Sequence, residues 1–167
     1  MTKTALAAAT AVAVLLTGGM AGIFLAFSVA VMPGLNAARA SAAVEAMQQI
    51  NQKILNPVFL VHFSGAPLAA AAAGVLLLVA GQRQAGVLFL AAAAVYVLGV
   101  IGPTAAVNVP MNDALDAAGN PAGASEAARI WGAYTGRWTA WNTLRGVASS
   151  VSLLLMALGL YVWGRDA

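Results

Sequence analysis

The chain has 167 residues, 62% of them hydrophobic and only 8% charged, and its mean hydropathy is +0.87. Soluble domains carry roughly a quarter charged residues, so this composition belongs to a membrane protein. The formal charge of +3 comes from Lys and Arg scattered singly, with no basic run to bind nucleic acid, and the absence of Cys excludes disulfides, thiol catalysis and thiolate metal sites.

A crossing helix takes about 20 apolar residues, so residues 1–167 hold a few spans in one domain. Charges are costly in hydrocarbon, and the gaps between them delimit the spans. The first gap, Thr4 to Ala38, is longer than the roughly 7–15-residue apolar core of a secretory signal. An uncleaved first span is expected over residues 6–32, with signal-peptide cleavage as the alternative. Pro33 and Gly34 then close it. Ser41 to Ile54 places Val44, Met47, Ile50 or Asn51 and Ile54 on one face, the spacing of a surface helix. The second span is expected over 56–80, its run Ala69 to Ala73 favouring close helix approach.

Gly81 to Gln84 reads as a tight polar turn, and the third span follows over 85–107, with Pro110 beyond it. Gly119 to Gly123 (GNPAG) reads as a loop. Ser125 and Glu126 open a second amphipathic helix whose stripe Ile130, Tyr134, Trp138 and Trp141 runs into a fourth span over 139–163. Tyr161 and Trp163 suit an interfacial belt. The expected fold class is all-α: an antiparallel four-helix transmembrane bundle with short amphipathic helices capping one end. Four spans in a multi-pass integral membrane protein put both termini on one side. Lys3, Arg83 and Arg165 on that side against Arg39, Lys53, Arg129 and Arg137 on the other leave the orientation open.

An up-down-up-down bundle gathers four segments at one end: VMPGLN (Val31 to Asn36), NPVFLVHF (Asn56 to Phe63), NVPMND (Asn108 to Asp113) and RWTAWNTLR (Arg137 to Arg145). They contain the only His, most of the Asn and the one Arg inside a span. Trp138, Asn142 and Arg145 share one stripe of the fourth helix, and Thr104 and Asn108 pair on the third. His62 stands about 9 Å along its helix from Asn56. Each has a plainer reading as well: Arg145 near enough to the boundary to snorkel, His62 a packing residue, Asn108 and Asn112 as caps around Pro110, and the Trp residues a membrane belt. Metal binding is not expected, because the single His has no Cys beside it and Glu45, Asp113, Asp116 and Glu126 are expected in loops. Phosphate-binding loops, nucleophile elbows and dinucleotide fingerprints are lacking.

Taken together, VMPGL, the AMQQIN run at Ala46 to Asn51, NVPMN, and W-x-x-W-N-x-x-R at Trp138 to Arg145 resemble the anthrone oxygenase family of small four-helix membrane proteins. The resemblance implies oxidation of an anthrone to an anthraquinone by molecular oxygen, with no metal, flavin or other cofactor. Such chemistry needs a base, donors for developing oxyanions and an apolar cavity. On that reading His62 is the base or proton relay. Arg145, Asn108, Asn142 and the Trp138 indole hold the oxygens. Phe59, Phe63 and Met111 pack the rings, with Asn112 and Trp141 also in the binding set. The partners expected are the lipid bilayer and a planar aromatic or quinone-like small molecule, with the oligomeric state open. The competing reading is a non-catalytic membrane protein that binds a lipid or small hydrophobic ligand or assists a partner. Transport is disfavoured by the single intramembrane charge.

Overall fold

The computed structural model describes residues 2–165. The helices are α1 (Lys3–Ala37), α2 (Ala40–Lys53), α3 (Pro57–Val79), α4 (Arg83–Ala117) and α5 (Ala124–Arg165). No strand occurs among the described residues. All but α2 are long and apolar enough to cross a membrane. The four long helices form an antiparallel bundle in which each packs along two neighbours, in the cyclic order α1, α3, α4, α5. Large apolar side chains point outward from every one of them, among them Leu15, Leu68, Leu98 and Leu154. Water would penalise such a surface, and lipid accepts it.

Short, specific devices set the ends and the packing. Asn56 caps α3 by accepting from the Phe59 N–H at 3.1 Å, with Pro57 in the first helical position where no N–H is needed. Between α3 and α4, Gly81 takes φ +81° while the Gln82 N–H donates to the Leu77 carbonyl and the Gly81 N–H to that of Leu78. This left-handed helix stop favours glycine and lets α4 turn straight back. A Cβ on Gly86 would lie 2.8 Å from the Gly74 carbonyl oxygen, so α3 and α4 meet backbone to backbone there. The core of this end is correspondingly small-grained, built from Ala70, Ala73, Ala85 and Ala92 around Phe89 and Met156.

Helices α1, α4 and α5 overrun the expected spans, and in α1 and α4 the prolines show how. A proline lacks the N–H for the helical ladder, and its ring strikes the carbonyl four residues back. Pro33, Pro103 and Pro110 each follow a residue that reaches back five positions instead: Met32 to Phe27, Gly102 to Val97 and Val109 to Thr104. These π turns widen the ladder where proline cannot join it, and the helix continues. Pro33 and Pro110 therefore do not end α1 and α4, contrary to expectation.

The second amphipathic helix is not separate: it is the start of α5, whose 42 residues make a rod about 63 Å long, twice the ~30 Å of a hydrocarbon core. The carboxylates expected in loops lie on helices, Glu45 on α2, Asp113 and Asp116 on α4 and Glu126 on α5. Helix α2 does form, and it closes one end of the bundle. Its buried Val44 and Met47 pack with Met32, Leu115, Trp131, Tyr134 and Trp138. Buried Gln48 ties it down by donating from Nε2 to the carbonyls of Leu115 (2.9 Å) and Gly119 (3.1 Å).

Candidate functional site

Under α2 lies a partly open cavity of about 220 Å³ lined by all four long helices. Small-molecule sites usually span roughly 300–1,000 Å³, so this one suits a compact ligand. One wall is apolar, from Ile23, Phe24 and Phe27 on α1 and Leu55 and Phe59 at the entry to α3. The facing wall is polar and comes from α4 and α5, where Thr104, Asn108 and Asn112 recur every four residues opposite Trp138, Asn142 and Arg145. The roof is Gln48, Asn51 and Gln52 of α2, and Asp113 and Asp116 lie toward the rim.

Arg145 forms the floor. It is only 6% exposed, and no carboxylate pairs with it among the described residues, where the ion pair is Glu126 with Arg129. Its Nη2 donates to Asn142 Oδ1 at 3.0 Å and its Nη1 to Thr104 Oγ1 at 3.1 Å. The guanidinium lies 4.6 Å from the Phe24 ring centre and 5.5 Å from that of Trp138, so two aromatic faces take the place of a counter-ion. Nε, though buried, has no partner. Asn142 and Thr104 are themselves fixed: Asn142 Nδ2 donates to the Phe24 carbonyl and to Ser28 Oγ, both at 2.8 Å, and Thr104 Oγ1 donates to the Val100 carbonyl at 2.7 Å. Held from both sides, the guanidinium is preorganised.

Above it, Asn112 organises the aromatic residues. Its Oδ1 accepts from both the Tyr134 hydroxyl and Trp138 Nε1, each at 2.8 Å. Asn108 Nδ2 donates a long 3.4 Å bond to the Trp138 carbonyl, while its buried Oδ1 has no partner. An unmatched buried polar atom costs about 1–3 kcal/mol, and three of them, on Arg145, Asn108 and Asn51, belong to residues of this one cavity. Neither asparagine is a helix cap: both are inward-facing residues of a continuous α4.

Of the residues singled out from the sequence, the cavity brings together Phe59, Asn108, Asn112, Trp138, Asn142 and Arg145. It does not bring in His62, Phe63, Met111 or Trp141. His62 sits over Gly19 of α1, where an added Cβ would lie 2.9 Å from its Cδ2, and its Nδ1–H donates to the Val58 carbonyl at 2.8 Å. Phe63 stacks behind Phe59 at 5.5 Å. Met111 lines a separate groove with Ile130 and Arg137, and Trp141 is half-buried off the cavity. Sequence reasoning missed Gln48, Gln52 and the two aspartates. The amide-rich QQINQ run at Gln48 to Gln52, which puts Gln48 and Asn51 on the inner side of an amphipathic helix, was a usable signal, whereas the aspartates were hidden by the assumption that Pro110 ends its helix. No three of His, Asp and Glu lie close enough to hold a metal ion among the described residues.

Fold and site together define an all-helical bundle with membrane-span-like helices and a polar, arginine-floored cavity at one end. The anthrone oxygenase family profile matches residues 57–155, and the chain belongs to that family. The matched stretch contains NVPMN, the W-x-x-W-N-x-x-R motif and the whole polar wall; VMPGL, AMQQIN and the roof helix lie outside it. No curated protein and no solved structure matches the chain.

Proposed function

We propose that the cavity binds an anthrone-like aromatic ketone as its enolate and lets molecular oxygen oxidise it to the quinone without a cofactor. The observation that carries this reading is the buried Arg145, unpaired with any carboxylate among the described residues and fixed at the floor of a cavity with an aromatic wall. A preorganised cation in a water-poor site stabilises an oxyanion far better than water does. Family membership agrees with it.

The reaction balances with substrate and oxygen alone. Loss of one methylene proton gives an enolate whose oxygen faces Arg145. The enolate carbon passes an electron to oxygen, and the resulting radical pair joins to form a C–O bond. The peroxide so formed takes up a proton. Removal of the second proton from the same carbon then makes the new C=O as the O–O bond breaks, and the departing hydroxide leaves as water. Phe24, Phe27, Phe59 and Trp138 supply flat apolar surface for fused rings, and Asn108 Oδ1 can accept from a ring hydroxyl.

Oxygen uptake by the detergent-purified protein with dithranol, against a heat-denatured control, tests the reading. Uptake above control is expected, with R145M lowering the rate about 10²–10³-fold as for loss of one oxyanion donor. Absence of acceleration by folded protein would leave ligand binding without catalysis as the better reading.

A further inference from the structure

We infer that Asp113 is the base that removes the carbon-bound proton, with the substrate lying lengthwise between Asp113 and Arg145. The inference rests on the enolate reading above. The cavity is polarised along its length: the guanidinium stands at the level of Thr104, to which it is bonded, and the carboxylates stand toward the rim. Thr104 and Asp113 are nine residues apart on one helix, an axial separation of at most about 13.5 Å between backbones, which the π turn over Thr104–Asn108 and the two side chains shorten. An aromatic ketone whose acidic carbon lies across the ring from its carbonyl needs roughly 10 Å. That figure is about 3 Å of hydrogen bond at each end, about 1.2 Å of C=O and about 3 Å of ring. A base beside the floor would face the oxygen, whereas a base at the rim faces the carbon.

Other basic groups are engaged or misplaced. His62 does not line the cavity, its Nδ1 is bound to Val58, and its ring is wedged over Gly19. Asp116 Oδ1 already accepts from Gln52 Nε2 at 3.1 Å. Asp113 lines the cavity, has no hydrogen-bond or ion-pair partner among the described residues, and is exposed on its outer side. A carboxylate open to solvent can pass the proton it takes to water, and the distant Arg145 holds the negative charge left on the substrate.

Proton removal can be read without oxygen chemistry. With air excluded, the protein is incubated with dithranol in deuterated buffer, and exchange at its methylene carbon is followed by proton NMR, for wild type, D113N, H62Q and the exposed control E45Q. Wild type and E45Q are expected to accelerate exchange, and D113N to lose about 10²–10⁴-fold of the acceleration while its thermal melting stays that of wild type. Unchanged exchange in D113N, or loss in H62Q with D113N intact, overturns the assignment. Exchange that depends on Asp113 without oxygen uptake in air would overturn the oxygenase reading and keep the base. Wild type that catalyses neither would overturn both.

Discussion

Replacing Arg145 by Met should separate function from stability, because the forces on the arginine nearly cancel. A charge at the centre of a membrane helix costs about 2.5–3.5 kcal/mol on insertion scales. Against this stand hydrogen bonds to Thr104 and Asn142, worth about 0.6–2 kcal/mol each in a membrane protein, and the faces of Phe24 and Trp138, worth about 0.5–1 kcal/mol each. At the middle of these ranges the favourable contributions exceed the cost by only about 1 kcal/mol. Met fills similar space, keeps contact with the Phe24 ring and leaves only Asn142 Oδ1 newly unmatched, since Thr104 retains its bond to Val100. Melting in detergent should therefore shift by only a few degrees, at about 2–4 °C per kcal/mol for a chain of this size. Binding should respond very differently. Losing the buried partner of an anionic oxygen costs about 2–5 kcal/mol, roughly 30-fold to a few thousandfold in Kd. Titration of a hydroxylated anthraquinone followed by tryptophan quenching reads this directly, because Trp138 lines the cavity. A melting point lowered by more than about 10 °C with affinity unchanged would refute the reasoning and make Arg145 a structural residue.

The remaining predictions concern the frame of the site. Asn112→Leu strips the shared acceptor from Tyr134 and Trp138 and should cost about 2–3 kcal/mol, seen as a lower melting point, with Asn112→Asp recovering much of it. Gly86→Ala drives a methyl group to 2.8 Å from the Gly74 carbonyl oxygen, so melting should show a loss of about 1–3 kcal/mol from overpacking. Gln48→Leu removes two of the ties between α2 and the end of α4, leaving that of Gln52 to Asp116. Hydrogen exchange should then quicken across Ala40–Lys53 while α3 keeps its protection.

Much of the site was legible in the sequence because rare residues carry the information. An arginine, paired tryptophans and repeated asparagines stand out in a chain with 8% charge, and up-down topology sends their segments to one end. Six of the ten residues chosen that way line one cavity. The depth of His62 along α3 follows from helical rise, but its rotation relative to Gly19 depends on how α1 packs, and that is a property of two helices at once.

By itself the sequence determined the membrane class, the number of long apolar helices, the surface helix and the end at which polar groups collect. All of these follow from local hydrophobicity and from the cost of charge in hydrocarbon. Tertiary structure decided where the helices stop, which face each polar residue presents and which groups find partners. Pro33 and Pro110 are tolerated only because π turns reopen the backbone ladder before them, a geometry that a residue-by-residue reading of proline does not reveal. Continuing α4 through Pro110 carries Asn112, Asp113 and Asp116 along one wall instead of into a loop. It thereby places the Asp113 carboxylate and the buried Arg145 guanidinium on the lining of the same cavity.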